Sequence, residues 1–451
     1  MNTENSMLFS RKDITRILLP LLAEQILAVA LGMFDSMMVS DVGEAAVSGV
    51  SLVDSINILL ITVFNALATG GAVVCSQFLG HSDTEDARNA AKQLYYVVFA
   101  VSSALMAIAL IFSGGILELI FGKVTAEVMG HARIYFVITA ISFPFLGIYN
   151  GGAALFRAMG DSKTALYVSL VMNLLNVGGN ALLIYVFEMG VAGAALATLA
   201  SRIFGAIVIL YLTHDKKRAL YVEDMLHFRP SKPIIRRILH VGVPGGLENG
   251  MFQMGKLLTQ SLVSGFSTAM IAANAVAHTI SSFEYAAGGA VGLTLITVVG
   301  RCIGAGEKKQ AKHYAWRLLF TAYLLMISVS IALTILVSPI LRIFNLSSEA
   351  TVAATHLVMM HNLATALIWP LAFTLPHTFR AADDVHFPMI VSAISMWVFR
   401  VAGSYVLALN FGLGVYGVWI AMFLDWVFRA AFFLTRLIRG KWLNKHKEIN
   451  I

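Results

Sequence analysis

Long apolar runs broken by short polar or charged stretches dominate this chain. Twelve can be marked off, at residues 14–40, 50–78, 91–114, 131–156, 164–187, 190–213, 238–264, 270–302, 313–338, 352–379, 388–409 and 415–437. An α-helix rises about 1.5 Å per residue, so a run of about twenty residues or more can cross a bilayer. The pattern therefore predicts twelve membrane-spanning helices. Its only long polar break, residues 213–237, follows the sixth run and divides the chain into halves. The halves repeat. A shift of 224 places Pro20 on Pro244, Glu24 on Glu248, Gly80 on Gly304, Ala87 on Ala311, Gly190 on Gly414 and Gly193 on Gly417. A shift of 223 places Phe156-Arg157-Ala158 on Phe379-Arg380-Ala381. Six spans per half insert both halves the same way up, which makes the repeat parallel. The expected fold is an all-α polytopic membrane protein with two six-helix lobes related by a pseudo-two-fold along the membrane normal. Its parts are an N-terminal lobe (1–213), a cytoplasmic linker (214–237), a C-terminal lobe (238–437) and a basic cytoplasmic tail (438–451).

Composition agrees with that pattern. Only 13% of the 451 residues are charged and 58% are hydrophobic, with a mean hydropathy of +0.78. A soluble domain of this size needs far more surface charge. The net charge of +7 reflects topology rather than nucleic-acid binding. With the N-terminus inside, 25 of the 32 lysines and arginines fall in inside segments, and Lys123, Arg133 and Arg342 are the cations of the outside loops. Both termini are expected in the cytoplasm. Pro20, Glu24 and Asp35 interrupt the first run and no A-x-A site follows, so the first helix is expected to remain in the mature protein. Cys75 and Cys302 are expected as free thiols. The chain carries no HExxH, G-x-S-x-G or P-loop pattern. It is not expected to be an enzyme or to need a cofactor, and uphill transport would have to draw on an ion gradient.

Polar residues inside the apolar runs are the candidate chemistry. Glu24 and Asp35 lie eleven residues apart, within about 20° of each other on a helix. A carboxylate at bilayer depth costs at least about 2.5 kcal/mol. Such a group is either a structural acid, paired or protonated between helices, or an ion or proton site facing a wet cavity. Further stripes run along single helical faces: Asp54, Asn57 and Asn65; Asn173, Asn176 and Asn180; Asn249, Gln253, Lys256 and Gln260, with Glu248 at the edge; and His278, Ser281 and Tyr285, with Glu284 beside them. In a bilayer these stripes must face protein or water. Interhelical hydrogen bonding accounts for single asparagines but does not require Asp35, Glu248 or Lys256. Asp425 and Arg429, four apart, can pair with each other, with Arg400 as another partner. His356, His361 and His377 read as buried, hydrogen-bonded histidines. Trp369, Phe373 and Tyr285 either line an aromatic pocket or simply pack.

The motifs Phe34-Asp35-Ser36-Met37-Met38-Val39, Ser76-Gln77-Phe78-Leu79-Gly80, Phe156-Arg157-Ala158-Met159-Gly160-Asp161, Gly193-Ala194-Ala195-Leu196-Ala197-Thr198, Pro244-Gly245-Gly246-Leu247-Glu248-Asn249 and Ile271-Ala272-Ala273-Asn274-Ala275-Val276, with the stretch Gly300 to Gly306, stand in order along the whole chain. Together they resemble the multidrug and toxic compound extrusion (MATE) family. The resemblance implies a bacterial inner-membrane antiporter, active as a monomer, that exchanges protons or sodium for drugs, dyes or toxic metabolites, mostly organic cations. It implies a coupling site at Asp35, with Asn173, Asn176 and Glu248 contributing. Asn180 stands where some members carry an aspartate, and residues 352–379 lack the acid that others place there. A sodium ion at Asp35 is the only metal expected. The substrate cavity is expected to use Asp54, Asn249, Gln253, Lys256, Gln260, His278, Glu284, Tyr285 and Trp369. The competing reading is a flippase for lipid-linked oligosaccharides, whose pyrophosphate would call for a cavity rich in Arg and Lys. Lys256 is the one cation of the stripes, against Asp35, Asp54, Glu248 and Glu284.

Overall fold

A computed structural model describes residues 7–445, apart from Lys123, Leu226 and Asn345 and the side chains of residues 33–36 and Ser40. The described residues are mostly helical and joined by short turns, except for the long non-helical stretch 214–231 between the halves. In chain order the helices are α1 (Arg11–Ser40), α2 (Glu44–Gly80), α3 (Thr84–Ile111), α4 (Ser113–Phe121), α5 (Ala126–Ile141), α6 (Phe143–Ala158), α7 (Ser162–Asn180) and α8 (Gly190–Thr213). Then follow α9 (Lys232–Val263), α10 (Thr268–Gly304), α11 (Lys308–Ile343), α12 (Ser348–Leu367), α13 (Pro376–Ala381), α14 (His386–Ser395), α15 (Gly403–Tyr405) and α16 (Gly414–Arg439).

Among the described residues, nine helical segments are long and apolar enough to span a membrane, and two bent pairs bring the number to 11. The pairs are α5 with α6, bent by 48°, and α12 with the segment Pro370–Ala381, bent by 60°. The second bend falls where Pro370 opens a π-helical turn, Pro370–Thr374. A proline removes a backbone donor and crowds the preceding turn, so a helix kinks there. The twelfth span is α9. It has ample length at 32 residues, but Glu248, Asn249, Gln253, Lys256 and Gln260 lower its apolarity.

The described residues form two compact units, one within Leu19–Gly246 and one within Met1–Leu18 and Leu247–Ile451. The cut falls inside α9, which itself starts at Lys232, within the segment read as linker. In the N-terminal unit α2 packs on α3, α5 and α6, and α7 packs on α8. Close approach depends on small residues. A Cβ on Gly70 would collide with the Ile238 carbonyl and the Gly242 backbone, where no flexible side chain can yield. In the C-terminal unit α10 is the central helix, packed on α11, α12 and α13. Both Cys75 and Cys302 are free and buried.

The repeat is visible in local geometry within each unit. Backbone φ is positive at Ser82 and Gly306, at Glu188 and Gly412, and at Gly190 and Gly414, each pair separated by 224 residues. Gly160 and Asp383 make a further such pair at 223. Asp161, which caps α7, accepts from Arg218 Nη1 at 2.6 Å. Burial pushes the Asp161 carboxyl up, but hydrogen bonds from Thr164 and the Arg218 guanidinium outweigh it and hold the group below the usual carboxylate range. Asp384 is gripped at both oxygens by Arg436, at 2.8 and 3.0 Å.

Candidate functional site

In the N-terminal unit the polar stripes of α2 and α7 turn inward. Asn57 is buried and donates to Asp54 Oδ1 at 3.5 Å and to Thr139 Oγ1 at 3.4 Å. Arg202 and Tyr135 also lie beside Asp54, and the Arg202 guanidinium donates to Ser142 Oγ at 2.7 Å. On α7, Asn173 donates to the Ser169 carbonyl at 2.9 Å, and Asn176 donates to Thr198 Oγ1 at 3.1 Å. Asn180 is almost fully buried at the end of α7, where the chain passes into the π-helical turn Ala181–Val186. Single π-turns recur at functional sites because they re-aim side chains and loosen the backbone ladder. Asn65, the last member of the α2 stripe, is exposed. The side chain of Asp35 lies outside the described residues.

Glu24 and Glu248 form repeat-related pairs. Glu24 Oε1 lies 3.7 Å from Arg157 Nη2. Glu248, expected among the coupling residues, accepts from Arg380 Nη2 at 2.7 Å and from Ser392 Oγ at 2.8 Å. The arginine comes in each case from the Phe-Arg-Ala motif that the repeat places on Phe156-Arg157-Ala158 and Phe379-Arg380-Ala381.

A second set gathers inside the C-terminal unit. Glu284 is fully buried, paired with His361 Nδ1 at 2.7 Å and accepting from the Ser330 hydroxyl. His361 Nε2 in turn meets the Tyr285 hydroxyl at 2.8 Å. Tyr285 stacks on Trp369 with centroids 5.5 Å apart, and Trp369 stacks on Phe373 at 5.1 Å. Gly288 makes that stack possible, since a Cβ there would collide with the Trp369 ring. His278 lies 4.8 Å from the Trp419 ring. Trp419 donates to Asn274 Oδ1 at 2.9 Å, and Asn274 donates to Gln260 Oε1 at 3.2 Å. Asn249 and Gln253 are half-buried.

The charges of this unit are mostly matched. Asp425 accepts from Arg429 Nε at 2.7 Å and lies 3.7 Å from Arg400. Arg400 lies over the Phe252 ring at 5.1 Å, and Arg429 over Phe373 at 5.1 Å. Lys256 is exposed, with Arg400 as its charged neighbour and His278 nearby. Among the described residues, no carboxylate forms an ion pair with it.

The structure therefore brings together Glu284, Tyr285 and Trp369 with His361, and Asp54 with Asn57 and Arg202. The pairings of Glu248 with Arg380 and of Glu24 with Arg157 went unforeseen, although the repeat marks both members of each pair. Helical periodicity groups residues on one helix and is silent about partners 132 or 133 positions away.

Known proteins match along the chain. The MatE family model matches twice, at residues 20–182 and 244–406, and both limits are displaced by 224. A probable multidrug resistance protein NorM of Thermotoga maritima is 24% identical over 445 residues, covering 96% of this chain and 93% of that protein. An uncharacterized transporter of Bacillus subtilis, YisQ, is 24% identical over 434 residues, 94% of each chain. Among solved structures, an outward-facing multidrug resistance MATE family transporter of the MOP superfamily superposes with a TM-score of 0.90 at 19% identity, over 96% of this chain and 97% of that one. A MOP superfamily transporter from Pyrococcus furiosus, described as having a binding pocket of reverse polarity, superposes with a TM-score of 0.87 at 21% identity and the same coverage.

Proposed function

The chain belongs to the MatE family, and on that premise we propose that it is a secondary active multidrug efflux antiporter working by alternating access in the bacterial inner membrane. It exchanges H⁺ or Na⁺ for small organic molecules, acts as a monomer with two lobes, 1–213 and 238–437, and has both termini in the cytoplasm. The observation that carries the reading is the polar interior of the N-terminal unit. Asn173, Asn176 and Asn180 line one face of α7, and Asp54 and Asn57 lie on α2. So many amide and carboxyl groups within spanning helices are costly unless protein partners, water or an ion satisfy them. Asp35 with the three asparagines is the coupling set. Glu248 we assign to a structural pair with Arg380.

The test is Asp35→Asn in cells and in proteoliposomes. Dye efflux falls to background while the protein stays at wild-type level in the membrane, and runs under separate sodium and proton gradients identify the ion. Unchanged efflux removes Asp35 from the site. Lipid scrambling without gradient-driven dye movement would instead support the flippase reading.

One observation favours a second reading of the substrate class, away from organic cations alone. Glu248, Glu284 and Asp425 each have a cationic or histidine partner, whereas Lys256 and its neighbour Arg400 have only Asp425 between them. An acidic group on the substrate would complete this set, with its rings against Tyr285 and Trp369. Lys256→Gln should weaken export of aromatic carboxylates at least about tenfold, the size of one charge-assisted hydrogen bond of roughly 1.5–3 kcal/mol, and leave a purely cationic dye unaffected. Equal effects on both substrates would sink this reading.

A further inference from the structure

Residues 7–12 are built into the C-terminal unit and form one wall of a cavity of about 740 Å³. Leu8 N–H donates to Gln310 Oε1 at 2.8 Å. Phe9 N–H donates to the Tyr314 hydroxyl at 3.0 Å, which donates back to the Phe9 carbonyl at 2.6 Å. The two rings meet edge to face, 5.9 Å apart. The cavity falls in the usual range for small-molecule sites, about 300–1,000 Å³.

Its lining is strongly basic. Arg11, Lys12, Lys309 and Arg317 contribute four cations and His313 a fifth nitrogen group, and no carboxylate lines it. Asp13, next to Lys12 in the chain, accepts from the Ser10 N–H at 2.9 Å and the Ser10 hydroxyl at 2.7 Å and lies in the field of Lys12 and Arg16. Among the described residues, no ion pair joins any of the four cations to an acid. Four like charges around one cavity repel each other, and an anion relieves that repulsion.

The position along α11 says which anion. His313, Arg317, Phe320, Leu324, Ile327 and Ile331 follow each other at offsets of 4, 7, 11, 14 and 18, a single helical face. The last four are exposed apolar residues, so the cup opens onto a lipid-facing strip. A soluble phosphate would use the cations and leave the strip unused. A phospholipid uses both.

We propose that this cup binds the phosphate head group of an anionic phospholipid, with the acyl chains lying along the exposed face of α11. The site is separate from the transport reading above and stands or falls without it.

Native mass spectrometry of the full-length protein in detergent tests it, with phosphatidylglycerol, phosphatidylcholine and glycerol 3-phosphate as probes. Phosphatidylglycerol should bind in preference to phosphatidylcholine, and glycerol 3-phosphate should bind far more weakly than either lipid. Lys12→Gln with Lys309→Gln should lower phosphatidylglycerol affinity on the order of tenfold or more, since each basic residue near the head groups is worth about fivefold. Both lysines are exposed, so the pair of changes leaves folding intact, and Arg317→Gln gives an independent loss from the other wall. Equal binding of the two lipids, or wild-type phosphatidylglycerol affinity in both variants, overturns the site. Glycerol 3-phosphate binding as tightly as the lipid overturns the lipid assignment.

Discussion

Glu248 and Arg380 show how much one pairing decides at the scale of the residue. A buried ion pair is a weak source of stability as a whole, but removing one partner strands the other and costs about 3–5 kcal/mol. Glu248→Gln should therefore lower the thermal midpoint of the purified protein in detergent clearly. Adding Arg380→Met to that change should recover part of the loss, which a double-mutant cycle measures. If Glu248→Gln leaves the midpoint in place, the carboxylate is free to serve transport instead. Sequence reading caught half of this arrangement. It singled out Glu248 as an acid too costly to be incidental, yet could not see Arg380, because the contact joins α9 to α13. Asp425 and Arg429 were legible for the opposite reason: four residues on one helix put the two groups side by side.

Among elements, α10 and the bent span of α12 and α13 hold the aromatic stack. Tyr285 projects from α10, Trp369 and Phe373 flank Pro370 at the bend, and Gly288 leaves room for the Trp369 ring. Gly288→Ala should cost about 1–3 kcal/mol, the usual range for overpacking a tight site. A melting experiment reads the loss, and quenched or shifted tryptophan emission reports the displaced ring. A variant with unchanged midpoint and emission would mean that Trp369 is not held against α10. The grouping of Tyr285, Trp369 and Phe373 was legible as an aromatic set, but the bend was not. A proline in an apolar run signals a kink without giving its angle. The same limit applies to α9, where polar residues marked the span as unusual and a hydropathy count taken alone would have missed it.

For the whole molecule, the repeat was the most legible feature, because it rests on spacing alone and survives large changes in side chain. Orientation is the expectation that follows from charge placement. In right-side-out vesicles a membrane-impermeant maleimide should label Arg342→Cys directly and Lys309→Cys only after permeabilisation. Both positions are exposed, and the two natural cysteines are buried. Labelling in the reverse order would invert the topology. What the sequence could not supply at this scale is the destination of residues 7–10: they belong with the C-terminal unit, and no periodicity connects Phe9 to Tyr314.

The matched left-handed turns carry a consequence for ancestry. At Ser82 and Gly306, and again at Glu188 and Gly412, one half uses glycine and the other an ordinary residue in a conformation that L-amino acids disfavour. Chance would not place such awkward corners at a common interval. Main chains that turn alike at a fixed interval while their side chains differ are what duplication of a shorter, six-helix unit would leave behind.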